Sequence, residues 1–187
     1  MCVIIFFLLV IFTSGIQASE SHFSTAGFYE LANSGREVYN MNVGWRFYKG
    51  SCPDAWQREF DDSSWEVVSI PHGLELLPEE ASGNINYQGR AWYRKNFSVP
   101  ANLKDKKVYL HFEGIMGKSR IWLNGKLLKE HFNGYLPIIA DVTEDLNFEM
   151  ENTLSICADN SDDPSFLPGK PQQALDFTYF GGIYRDC

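Results

Sequence analysis

The sequence predicts an all-β protein, an antiparallel β-sandwich, and three observations carry that prediction. Apolar side chains recur at every second position over several short stretches, which is the spacing that lines one face of an extended strand. Residues that favour turns separate these stretches. Beyond the first eighteen residues, no run of ten or more carries a helical apolar stripe. Without helices to cover them, two apolar sheet faces are buried only against each other, so a sandwich follows. Five Trp, nine Tyr and 14 Phe supply the large, rigid fillers such an inter-sheet layer needs.

The elements follow in chain order. Val3 to Phe12 is uninterruptedly apolar, the length of a signal-peptide core and only about half of the ~20 residues a membrane span needs. Residues 1–18 are therefore expected to be an export signal, with small residues Ser14, Gly15 and Ala18 near the cut, although no Lys or Arg precedes the core. Residues 19–39, rich in Ser, Gly and Ala, read as a lead-in segment. A domain is expected over 40–187. Strands are predicted at Trp65 to Ile70, Ile138 to Thr143, Thr153 to Asp159 and Gly182 to Cys187.

Two more strands carry clear alternation. Ala91 to Val99 sets Tyr93, Lys95, Phe97 and Val99 against Trp92, Arg94, Asn96 and Ser98; Lys107 to Glu113 puts Val108, Leu110 and Phe112 opposite Tyr109 and His111. Both are predicted to be half-buried. Asn124-Gly125 lies between β-favouring runs in Ser119 to Leu128 and supplies the positive φ angles that a type I′ hairpin turn demands. Leu74 to Gly89 and Asn160 to Tyr179 are longer than ordinary sandwich connections and stand out as candidate functional loops.

Charge and cysteine content narrow the function. With 24 acidic against 16 basic residues the net charge is −8, and no basic stripe offers the Lys and Arg that neutralise phosphates, so nucleic acid is excluded as a partner. Cys52, Cys157 and Cys187 form neither a disulfide framework nor a metal-ligand spacing, though a single bridge fits an oxidising compartment. Cys157, on a predicted strand, reads as a small buried hydrophobe.

Glycosidic hydrolysis requires two carboxyl groups facing each other across the scissile bond, one of them protonated. The acidic pairs Glu79-Glu80, Asp61-Asp62 and Asp162-Asp163 are adjacent in sequence, and adjacent residues of an extended chain point to opposite faces. Glu79-Glu80 is read as solvated loop charge. No Ser-His-Asp arrangement or Gly-rich phosphate loop supplies another chemistry. Trp92, Trp122 and Tyr93 have faces suited to a pyranose ring, but their place in strands favours packing between the sheets. Arg185 and Asp186 are expected to form a structural ion pair or a domain contact.

Several blocks, in order, resemble the N-terminal domain of glycoside hydrolase family 2, which includes β-galactosidases, β-glucuronidases and β-mannosidases. They are Trp45-Arg46-Phe47; Phe60-Asp61-Asp62-Ser63-Ser64-Trp65 with Ile70-Pro71-His72; Gly89-Arg90-Ala91-Trp92-Tyr93-Arg94-Lys95; Phe112-Glu113-Gly114-Ile115 with Ile121-Trp122-Leu123-Asn124-Gly125; and the closing run Phe177 to Cys187. The resemblance implies a jelly roll of the galactose-binding-like type. It also implies a linking sandwich and a catalytic (β/α)8 barrel beyond Cys187, with both catalytic glutamates in the barrel, so no catalytic residue is expected here.

In β-galactosidases of that family, an Asn before the "G-x-x-W-Y" strand and an Asp after a late strand reach the terminal sugar. The positions that resemble these are Asn86 and Asp162, with Asp163 as the neighbouring alternative. An amide offers donor and acceptor together, and a carboxylate accepts hydroxyl hydrogens or helps hold a monovalent cation. That cation, near Asp162 in a full enzyme, is the only cofactor the resemblance brings. The expected role is thus the sugar-binding domain of an exported, retaining glycosidase acting on terminal β-linked sugars. Its partners would be a carbohydrate and the remaining enzyme domains, with homo-oligomer formation where apolar surface is left uncovered. A free-standing carbohydrate-binding module or surface adhesin without catalysis is the alternative; an exposed aromatic strip on one sheet would favour it.

Overall fold

The computed structural model describes residues 34–187 apart from 76–85, 166 and 168. The expected export signal, most of the lead-in segment and Glu79-Glu80 lie outside the described residues. Eight strands follow in chain order: β1 Trp45–Lys49, β2 Glu66–Val68, β3 Arg90–Phe97, β4 Tyr109–Phe112, β5 Lys118–Leu123, β6 Lys126–Phe132, β7 Ile138–Asp141 and β8 Asn152–Asp159. Helical structure among the described residues is confined to two 3₁₀ turns, Ala101–Leu103 and Gln172–Ala174.

All strand pairs are antiparallel. Six strands form one sheet in the order β2-β1-β3-β8-β5-β6, and β4 pairs with β7 in a second. Residues 181–187 extend this second layer without becoming the regular strand expected at Gly182 to Cys187. Gly182 bridges Met116, while His72 N donates to Ile183 O, Leu74 N to Gly181 O and Glu113 N to Asp186 O. Gly181 and Gly182 allow that close approach, because a Cβ on Gly182 would lie 2.5 Å from the Tyr93 hydroxyl and 2.6 Å from the His72 carbonyl.

The core lies between the layers. Trp45, Tyr93, Ile121, Leu123, Leu154 and Ile156 from the large sheet meet Phe112, Ile115, Ile138 and Ile183 from the other side, and all are essentially inaccessible. Burying each such side chain contributes roughly 1.5–3 kcal/mol. The Trp45 indole donates to Met41 O at 2.7 Å, so its polar edge is satisfied as well.

Strand β4 alternates as expected, with Leu110 and Phe112 inside and Tyr109 and His111 exposed. The predicted hairpin forms too: Leu123 pairs with Lys126, and Asn124 and Gly125 adopt φ of 53° and 82°. Strand β3 departs from its prediction, because both of its faces are buried. Tyr93 and Phe97 enter the inter-sheet core, whereas Trp92 and Arg94 lie beneath residues 50–65, which fold back over the outer face of the sheet.

Arg94 fastens that cover. Its side chain is 1% exposed. Nε donates to Asp62 at 2.7 Å, Nη1 to the Ala55 and Gln57 carbonyls and to Ser155 Oγ, and Nη2 to the Arg58 and Phe60 carbonyls. A planar guanidinium has five N–H donors and no acceptor, and here every nitrogen is engaged. The "D-D-S-S-W" and "W-Y-R-K" blocks of the sequence are therefore two halves of one hydrogen-bonded assembly.

Candidate functional site

Antiparallel register brings the two candidate loops together. Arg90, the first residue of β3, is the partner of Asp159, the last residue of β8, and Lys118 opens β5 opposite the same Asp159. The chain before β3 and the chain after β8 therefore emerge side by side. Asn160 joins them: Oδ1 accepts from Gly89 N at 2.9 Å, Nδ2 donates to Tyr87 O at 2.8 Å, and its own backbone amide donates to Gly89 O.

Asn86 is buried, at 3% exposure. Its backbone N–H donates to Gln172 Oε1 at 2.7 Å, and its Oδ1 accepts from Tyr87 N. Its Nδ2 has no hydrogen-bond partner, an arrangement that costs about 1–3 kcal/mol unless something outside the domain accepts the bond. Gln172, on a 3₁₀ turn of the second long loop, also donates through Nε2 to Tyr179 O.

Asp162 and Asp163 take separate roles. Asp163 is bound within the protein, since Oδ2 meets Lys118 Nζ at 2.7 Å and Oδ1 accepts from both Ser165 N and Ser165 Oγ. The Lys118 ammonium and then the Ser165 bonds hold its carboxyl well below the usual carboxylate range. Asp162 is exposed, and its Oδ1 accepts from Gln88 Nε2 at 2.5 Å and from Tyr179 OH at 3.2 Å. Burial, followed by the charge of Asp162, raises the Tyr179 phenol, so this hydroxyl remains a donor.

Beneath these residues lies a cavity of about 10 Å³, lined among others by Met116, Asn160, Asp163 and Tyr179, space for roughly one water. The described residues alone do not enclose a sugar. Among them, no group of three or more His, Cys, Asp or Glu side chains is arranged to hold a metal ion. Near Asp162, Gln88 and Tyr179 present hydrogens rather than oxygen lone pairs to the carboxylate. The donor set thus falls short of a complete cation site, and no step is drawn through one.

Acid-base catalysis of glycoside cleavage needs a carboxyl kept protonated near neutral pH. Every described carboxyl whose pKa is displaced, at Glu37, Asp61, Asp141, Asp159 and Asp163, is lowered instead. The cluster can recognise hydroxyl groups. Among the described residues no carboxyl is displaced upward.

The aromatic and charged candidates separate as well. Tyr93 is in the core, with its hydroxyl 2.9 Å from His72 Nδ1. Trp92 and Trp122 do not pack between the sheets; they stack on each other across the outer face, with ring centroids 5.5 Å apart and planes 24° from parallel. The packing between the sheets expected of all three holds for Tyr93 alone, because alternation does not say which face of a strand the core takes. Arg185 and Asp186 are not an ion pair: Arg185 lies over the Tyr184 ring, and Asp186 accepts from Asn42 Nδ2 at 2.9 Å. Cys52, Cys157 and Cys187 are all free thiols, and burial pushes Cys157 up to about 11.

Sequence reasoning missed Gln88, Asn160, Gln172 and Tyr179. Amide residues in turn-rich segments read as turn formers, and only the proximity of the two loops turns them into a network.

A two-layer antiparallel domain with almost no helix and a polar loop cluster at one end of its large sheet is of the galactose-binding-like class. The sequence profile described as "Glycosyl hydrolase 2 galactose-binding domain-like" matches residues 78–165. A β-galactosidase of Thermoanaerobacter pseudethanolicus is 37% identical over 153 residues, covering 81% of this chain and 20% of that protein. A β-glucuronidase of Formosa agariphila is 31% identical, covering 83% and 17%. Among solved structures, a Bacteroides uniformis β-glucuronidase superposes with a TM-score of 0.69 at 35% identity, covering 79% of this chain and 17% of that one. A β-glycosidase from Bacteroides vulgatus gives 0.64 at 30%, covering 79% and 19%. The chain belongs to glycoside hydrolase family 2. It spans about a fifth of the length of the curated relatives it matches.

Proposed function

We propose that this chain is the N-terminal, jelly-roll sugar-binding domain of an exported glycosidase that hydrolyses terminal β-linked sugars, of β-galactosidase or β-glucuronidase type. The chemistry of bond cleavage resides in another part of the enzyme. This domain contributes recognition: Asn86 offers its free amide hydrogens and Asp162 its exposed carboxylate to hydroxyls of the terminal residue, while Asp163 braces the loop. The observation that carries the reading is the register of β3 against β8, which delivers an unpartnered, buried amide and an exposed carboxylate to the same end of the sheet.

A chimera tests it. Residues 40–187 replace the matching segment of the Thermoanaerobacter β-galactosidase, and kcat/KM is measured with a nitrophenyl β-galactoside. Losing a hydrogen bond to a charged acceptor costs ~1.5–3 kcal/mol, so Asp162→Ala is expected to reduce kcat/KM roughly ten- to hundredfold with little change in Tm. Asp163→Ala is expected to lower Tm instead. A D162A chimera with undiminished kcat/KM would sink the proposal.

A further inference from the structure

The outer face of the six-stranded sheet carries a second feature, separate from the Asn86 and Asp162 loops. Residues 50–65 cover only part of that face, and beside them runs an open groove of about 530 Å³, within the roughly 300–1,000 Å³ range of small-ligand sites. Trp56 and the stacked Trp92 and Trp122 line it, together with Arg90, Lys118, Arg120 and Asp159.

Three properties point to one kind of occupant. First, the stacked indoles give a rigid, flat apolar surface; Trp122 is partly exposed, and Trp56 is 36% exposed. Such a surface suits the CH face of a pyranose. Second, Trp92 is 5% exposed, and its Nε1–H is buried without a hydrogen-bond partner. Third, Arg90 and Arg120 lie in the lining with one carboxylate, Asp159, and with Lys118, whose ammonium is taken by Asp163, although the whole chain carries a net charge of −8. Arg90 and Arg120 touch Asp159 and Glu130, yet each side chain stays 57% exposed. Their remaining guanidinium donors are open to a planar anion.

We propose that this groove is a binding site for an anionic oligosaccharide, with pyranose rings on Trp122 and Trp56 and acid groups on Arg90 and Arg120. A carboxylate and a sulfate ester share the chemistry the arginines recognise. The site is independent of the terminal-sugar reading. It would hold a polymer chain, not position a bond for cleavage.

The test uses the 187-residue chain and tryptophan fluorescence titration with three probes: tetragalacturonate, a heparin tetrasaccharide and neutral cellotetraose. At least one anionic probe is expected to bind ten times or more tighter than cellotetraose, and to weaken as salt rises. The better of the two anionic probes identifies carboxylate or sulfate as the preferred group. Trp122→Ala and, on a freely exposed side chain, Arg120→Gln are each expected to weaken that binding at least threefold, while Asp162→Asn leaves it unchanged. Failure of both anionic probes to bind the folded chain overturns the proposal, as does equal binding of cellotetraose or an R120Q variant with wild-type affinity. Loss of binding in D162N would place the ligand at the loop cluster and also overturn it.

Discussion

Replacing Arg94 with Met removes the guanidinium that secures residues 55–62 to the sheet, while keeping a long apolar stem in the space. The wild-type side chain makes six hydrogen bonds, four to backbone carbonyls and one each to Ser155 Oγ and Asp62. The thioether that takes its place would leave those carbonyls and the Asp62 carboxylate, whose side chain is 16% exposed, without their donor. Breaking a buried pair from one side costs about 3–5 kcal/mol. At about 2–4 °C per kcal/mol for a chain of this size, Tm is expected to fall by roughly 6–20 °C. Urea unfolding followed by tryptophan fluorescence measures it directly, because Trp56 and Trp65 lie in or beside the released segment. Arg94→Lys, which keeps the charge and loses the fork, is expected to be destabilised as well. Arg120→Gln provides the contrast: its partner Glu130 is exposed, and surface pairs are worth about 0–1 kcal/mol. An R94M chain less than ~1 kcal/mol below wild type, or no worse than R120Q, would refute the reasoning.

Two asparagines are expected to answer differently to truncation. Asn152 is fully buried, donates to Asn147 O and accepts from Asn124 Nδ2 and Asn147 N, so Asn152→Ala should cost about 1–3 kcal/mol in urea titration. Asn86→Ala removes an Nδ2 without a partner and an Oδ1 that shares the Tyr87 N–H with Glu75 Oε2, and should cost less than ~1 kcal/mol; a larger loss would show that Asn86 serves stability rather than recognition. Gly125→Val places a β-branched residue at φ 82° and is expected to lower stability by at least ~1 kcal/mol. An unchanged midpoint would contradict the I′ turn. Burial holds His72 below its ordinary 6.5 despite Glu66, and His131 shifts the same way for the same main reason. The fold therefore favours the neutral rings, and the stability this provides is complete above pH 6.5 and lost as pH falls from there through the lower folded-state values. His72→Gln/His131→Gln should flatten the stability profile between pH 6.5 and 5, and a profile as steep as wild type would exclude it. The purified chain alone is expected to leave nitrophenyl β-galactoside and β-glucuronide intact, and measurable turnover by pure material would contradict the proposal that bond cleavage resides elsewhere in the enzyme.

Local chemistry sufficed for much of this molecule. Asn124-Gly125 dictates its turn because positive φ is a property of those two residues alone, and Leu110 and Phe112 mark an inward face because strand alternation has a period of two. Alternation cannot say how many faces are covered. Trp92 and Arg94 were legible as one side of β3, yet only the folded chain shows Asp62 and the carbonyls of residues 55–60 closing over that side. The same limit applies to the loops. Sequence alone placed Asn86 and Asp162 in the two long irregular segments, and it left Asp162 and Asp163 indistinguishable. Lys118 separates them, and it is forty-odd residues away in the chain. Its reach to Asp163, and that of Gln172 to Asn86, depend on which strand ends lie side by side. Register is fixed by the packing of the whole sheet against its partner layer, so such contacts exist only once the core has formed.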